Sequence, residues 1–291
     1  MAESIKIQLA DFYEPVTEEQ VQRAKNYVLR RESAARGLSS LIDALLQDAA
    51  VKITSICYRY NINPTLFELS YKYNKKMFEE VAAVMDELEE DILDLVSVYS
   101  TKCTKDKEKK NALFLWILTL GRGGKALKAT LETRLRAFMG DLEAMIVAAK
   151  VAGLNTSQAA NIIKNNLHNV YQTAIMKNVF RQANMYKAKN IRTKGIKHGN
   201  VGNSNSEANN IVRFAKTTLQ MAWMRQMRQN YKDEGAAGFY VLRGSTYPCD
   251  YCQSYVGFHQ IDEVEAFPPR HANCACFAIP VFQTTIEEMS I

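Results

Sequence analysis

The stretch from Thr246 to Phe277, TYPCDYCQSYVGFHQIDEVEAFPPRHANCACF, holds four of the six cysteines in the chain. Cys249 and Cys252 form a C-x2-C turn. His271 and Cys274 form an H-x2-C turn, with eighteen residues between Cys252 and His271. Two such turns brought together present soft and borderline donors at the corners of a tetrahedron, the arrangement a structural Zn²⁺ takes. The spacing lies within the range of ribbon and knuckle sites. Cys276 is a fifth donor, so four of the five residues Cys249, Cys252, His271, Cys274 and Cys276 are expected to ligate. Which one stands aside is open at this level, since Cys274 and Cys276 point the same way along a strand.

A staple also answers a folding problem. From Gly238 to Phe282 there are about 45 residues with few apolar side chains outside two strand-like runs, FYVLR and CFAIPVF. So small a unit rarely supports itself without a metal or disulfides. The competing readings are a redox C-x-x-C, which normally heads a helix in a βαβ unit, and four unrelated thiols. QSYVGFHQ after Cys252 does not read as a helix start, and a catalytic zinc lacks a glutamate beside His271.

The remainder of the chain reads as helix. Thr17 and Gln20 make a capping-box pattern that opens a helix through about Leu46. Asn63-Pro64 is a second start, leading to a helix through Val98 with apolar positions at Val81, Val84, Met85, Leu88, Ile92 and Leu95 on one face. Further helices are expected over 111–120 and 125–151, and from an Asn155 cap to about Asn190. GRGGKA after Leu120 is superficially like a phosphate-binding loop, but it lacks the first glycine and the Ser/Thr after Lys125. TKGIKHGNVGNSNSEANN, residues 193–210, reads as a linker, and a helix resumes over 211–232. The fold class expected is therefore mainly α with a small α+β C-terminal module. Its parts are a helical region over 1–154, a helical start of the second part over 155–192, a linker over 193–210, and the Cys/His segment within 211–291.

Charge is unevenly spread. Residues 78–96 carry eight acidic side chains and no basic one, whereas residues 177–232 carry twelve Lys/Arg against Glu207 alone. A positive stretch of that kind suits a polyanion or an acidic protein surface, and equally a solvated helix face. Its candidate contacts to nucleic acid are Lys177, Arg181, Lys187, Lys189, Arg192, Lys194, Lys197, Arg213, Lys216, Arg225 and Arg228. His168 reads as a satisfied helix histidine, and His198 and His259 as solvated ones. The N-terminal residues have no apolar run of signal-peptide length, and the most apolar segment, ALFLWILTL, is about half a bilayer span. A reducing compartment is expected, where clustered cysteines are metal ligands more often than disulfides.

The segment RFAKTTLQMAWMRQMRQNYKDEGAAGFYVLRGSTYPCDYCQSYVG followed by FPPRHANCACF resembles the C-terminal domain of phage Mu F-like minor head proteins. Lys216-Thr217-Thr218 stands at the family's helix start. Cys249 and Cys252 match its cysteine pair, Gly257 its turn, and Pro268, Pro269, His271, Asn273, Cys274 and Cys276 its closing motif. Ala272 and Ala275 replace the usual proline and arginine, and Ser245-Thr246 stands where Asp and Arg are common. The resemblance covers about residues 155–282. It implies a structural virion protein rather than an enzyme, associated with the portal protein or the major capsid protein at the inside of the head. Such a protein assists assembly and DNA packaging or ejection, lies against packaged DNA without sequence preference, and passes through the host cytoplasm during assembly with no membrane partner. The alternative is a zinc-containing nucleic-acid-binding protein or nuclease. A third, weaker reading is a transferase toxin, which nothing in residues 1–155 resembles.

Overall fold

In the computed structural model, residues 13–61, 74–119, 126–170, 174–182, 206–244, 249–271 and 274–284 are described. The helix start expected at Asn63-Pro64, the Gly121 to Gly124 segment and most of the 193–210 linker, with His198, lie outside them.

The chain is predominantly helical, with one small sheet near its C-terminal end. Helix α1 (Glu18–Arg59) opens on the expected capping box: Gln20 N–H donates to Thr17 Oγ1 at 3.2 Å, and Thr17 N–H to Gln20 Oε1 at 2.7 Å. It runs well past Leu46, through the β-branched stretch VKITSI. Burial of Ala49, Ala50, Ile53 and Cys57 against the core outweighs the weak helix propensity there. Helix α2 (Lys75–Thr101) is capped by Asn74, whose Oδ1 accepts from Met77 N–H at 3.0 Å. Part of its acidic face is spent on ion pairs: Glu80 with Arg59, and Glu89 with Lys128 at 3.2 Å. Helices α3 (Lys107–Thr119) and α4 (Leu127–Val151) follow.

Helix α5 (Thr156–Asn166) starts at the Asn155 capping box. The expected continuous helix to Asn190 is broken by a 3₁₀ turn at Leu167–Asn169, after which α6 (Ala174–Gln182) begins. Helix α7 (Glu207–Asp233) takes in the last four residues assigned to the linker. Its start is fixed from elsewhere: Glu207 N–H donates to Asp141 of α4 at 3.0 Å, and the Ser206 hydroxyl donates to the Leu167 carbonyl. Gly235, at φ 80°, ends α7, with Gly235 N–H bonded to Lys232 O and Ala236 N–H to Tyr231 O, both at 3.0 Å.

Strands β1 (Gly238–Leu242), β2 (Gly257–Gln260) and β3 (Phe277–Val281) form an antiparallel sheet in the order β2-β1-β3. Phe239 of β1 faces His259 on one side and Pro280 on the other, so proline falls on an edge strand as its missing donor requires. The one-turn helix α8 (Asp250–Gln253) lies between β1 and β2.

Two apolar cores result. The larger joins α1 from Ala35 onward to α2, α3, α4, α5 and the first half of α7, and so runs across position 154 without a break. The smaller joins Ala24 of α1 and Met224, Met227 and Tyr231 of α7 to the sheet, through Phe239, Val241, Phe267 and Ile279. Helices α1 and α7 therefore cross from one core to the other. At the crossing the Tyr27 hydroxyl donates to the Trp223 carbonyl at 2.6 Å. Among the described residues, no helix is long and apolar enough to cross a membrane.

Candidate metal centre

Three short pieces of chain bring the donors together. Cys249 caps α8 and Cys252 lies in its single turn. The second turn is closed by Cys274 N–H donating to the His271 carbonyl at 3.1 Å, and Cys276 leads directly into β3. Gly244, just past β1, lets the pieces meet: a Cβ there would lie 1.9 Å from the Ala275 carbonyl oxygen, between Cys274 and Cys276. Only a residue without a side chain permits that approach. Pro268-Pro269, ahead of His271, is joined by a cis peptide bond.

All four thiols are free and buried, with Cys249 the most exposed at 9%. Two overlapping donor triads share Cys252: Cys249, Cys252 and His271, and Cys252, Cys274 and Cys276. Cys252 Sγ lies 3.8 Å from Cys274 Sγ, and Cys249 Sγ lies 3.5 Å from His271 Nε2. A tetrahedral ion with zinc-like bond lengths sets its sulfur and nitrogen ligands about 3.5 to 3.8 Å apart. Cys252 Sγ and His271 Nε2, at 3.0 Å, sit at hydrogen-bond distance and would part slightly around an ion. The cluster can hold a metal ion, and its sulfur and imidazole donors suit a soft or borderline cation.

The electrostatics agree with the geometry. A hydrogen bond from Cys276 holds the Cys274 thiol down to about 5, whereas burial pushes Cys252 up to about 12. The bond to Cys274 together with burial raises Cys276 still further. Crowded together, Cys252, Cys274 and Cys276 oppose one another's ionisation, and Cys274 takes the charge at the expense of the other two. A divalent cation supplies the positive charge that lets several ionise together.

As expected, no helix starts in QSYVGFHQ: α8, which Cys249 precedes, has four residues and ends at Gln253, within an antiparallel sheet unit rather than a βαβ unit. His259 is no free surface residue. It stacks on Phe239 with ring centroids 5.6 Å apart, and its nitrogens meet Glu263 at 3.0 Å and the Tyr255 carbonyl at 2.9 Å. His168 is satisfied, between Asn209 of α7 and Asp43 of α1. Cys57 and Cys103 are inert by burial, each pushed up to about 12.

The basic residues do not gather into an open stripe on α7. The Arg225 guanidinium lies 4.5 Å over the Trp116 ring, and Arg228 donates to the Ile261 carbonyl at 3.0 Å. Lys216 faces Glu32 at 3.7 Å, and Arg213 is partly buried. Lys177 on α6 is exposed; the side chain of Arg181, and Lys187, Lys189, Arg192, Lys194 and Lys197, lie outside the described residues.

One residue at this site carries no sequence signal. Arg31 of α1 is fully buried, and its Nη2 donates to the Cys274 carbonyl at 3.1 Å. In comparisons with known families, curated proteins and solved structures, no match to this chain was found.

Proposed function

We propose that this chain is a structural virion protein of the Mu F-like minor head kind, with its cysteine cluster closed around one structural Zn²⁺. The observation that carries the reading is the convergence of the motif residues. Cys249, Cys252, His271, Cys274 and Cys276, spread over 28 positions, meet in one set of sulfur and imidazole donors, its four sulfurs buried and its imidazole half-buried. Among the described residues, neither donor triad includes a carboxylate to serve as a general base, which favours a staple over a catalytic ion. Zinc is the cation whose preferred geometry and ligand types this set matches best.

In this reading the sheet module docks on the portal protein or the major capsid protein. Phe239 and Phe267 are core residues, so the docking surface falls to Tyr251, 52% exposed, and Val264, 59% exposed. Lys177 and the basic residues that follow it would face packaged DNA through phosphate contacts alone.

Two measurements test the proposal. Protein purified without chelator should carry about one equivalent of zinc; metal-free protein with the module folded overturns the metal assignment. Tagged protein recovered from cells producing particles should bring portal and major capsid subunits with it. Recovery with nucleic acid alone, or metal-dependent cleavage of DNA that is lost in His271→Ala, would replace the virion reading with the nuclease one.

A further inference from the structure

Arg31 sits on α1 where the two cores meet, and none of its surface is exposed. Nη2 donates to the Cys274 carbonyl at 3.1 Å and to Glu32 at 3.0 Å, and Nε reaches the same carboxylate oxygen at 3.3 Å. Nη1 is buried with no partner among the described residues. Glu32 is not Arg31's alone: it accepts from Gln220 Nε2 at 2.9 Å and faces Lys216 at 3.7 Å. Two cations against one carboxylate leave a net charge of +1, and the guanidinium that bears it is the fully buried member. A buried cation that shares its one carboxylate with a second cation is only partly compensated, and a further anion close by lowers the remaining cost.

The cysteine cluster becomes that anion when a metal binds. A divalent cation with three thiolates and an imidazole carries −1, and with four thiolates −2. The peptide of Cys274 is already in Arg31's grasp. We propose that Arg31 is the positioning residue and counter-charge of the metal centre, so that metal loading and the docking of α1 on the C-terminal module strengthen each other. The inference rests on the metal assignment above and adds a partner to it from the other end of the chain.

The test uses the full-length protein and three variants: Arg31→Met, which keeps the length and apolar body of the side chain; Arg31→Lys, which keeps the charge; and Glu32→Gln, which removes the competing carboxylate. Zinc affinity is read by chelator competition, with the Co²⁺ absorption spectrum reporting tetrahedral thiolate ligation. Arg31→Met should still reach one equivalent but bind about 10- to 100-fold more weakly, the usual effect of losing a group that supports a metal's ligands. Arg31→Lys should recover much of that loss. Glu32→Gln should bind more tightly, because Arg31's charge is then shared with the metal centre alone. A role confined to packing predicts unchanged zinc affinity in all three, and that result overturns the inference while leaving the metal assignment standing. Should Arg31→Met fail to fold, the sign of the Glu32→Gln effect decides: weaker or unchanged binding overturns the proposal. A wild-type protein that binds no metal overturns both.

Discussion

Gly244 shows how one missing side chain assembles the cluster. Its backbone touches the peptide between Cys274 and Cys276, and any Cβ would collide with the Ala275 carbonyl. Gly244→Ala should therefore push the two cysteine turns apart. The expected outcome is a loss of metal content together with about 1 to 3 kcal/mol of stability, checked by metal analysis and thermal unfolding. The donors themselves were legible in the sequence, because ligand type and spacing are carried by the residues that do the binding. Arg31 was not. It stands in a run of charged residues, Arg30, Arg31 and Glu32, that reads as a solvated helix face, and its partner is a backbone carbonyl 243 positions away. Phe239 and Phe267 carry no signal of their place for a related reason: aromatic content does not say which ring faces inward. The structure packs them edge to face at 4.8 Å.

Helix α7 carries the same lesson at the scale of an element. Its position and its glycine stop were visible in the pattern, but the use of its cations was not, since Trp116, Glu32 and the Ile261 carbonyl belong to other parts of the chain. A charge count over 177–232 mixes two populations. Neutralising Lys177, Lys187, Lys189, Arg192, Lys194 and Lys197 together should abolish any nucleic-acid binding and its steep salt dependence. Neutralising Arg225 and Arg228 should instead lower the thermal midpoint and leave that binding nearly unchanged. A salt titration of binding beside a melting curve separates the two. Strand β2 escaped sequence reading because GFHQ has one large apolar residue and a glycine. It is an edge strand held by pairing with β1 and by His259. The sequence pattern marks α1 at its cap but ends it thirteen residues early, ahead of a β-branched stretch whose burial no local pattern reveals.

At the scale of the whole molecule, the physical seam does not follow the order of the chain. A division at 154 separates segments that share the larger core, while α1 and α7 each belong to both cores. Apolar periodicity identifies the face a helix buries, not the helix it is buried against, so this arrangement was beyond its reach. Charge pairs reinforce the contacts made by α7 near its end. Lys109 of α3 holds the Asp233 carboxyl below its usual range, and Lys232 does the same to Asp262 in the turn after β2. A carboxylate whose pKa is depressed by folding adds stability above its unfolded value, about 4, and loses it as the pH falls through the folded value. The thermal midpoint should thus decline below about pH 4, gently because these groups are exposed and screened. Lys109→Ala and Lys232→Ala should each flatten that decline relative to wild type, most visibly at low salt. Equal slopes in all three proteins would show that the pairs contribute nothing.

An α-helix of 42 residues is about 60 Å long, and α1 spends its first turns on the sheet and the rest among the other helices. Such a member behaves as a lever rather than a tether. A load applied to the sheet is carried along a continuous rod, and emerges at the far end as a tilt against α2 and α5 instead of being absorbed by slack chain. With α7 as a second rod spanning the same gap, the two ends of the molecule turn together or not at all.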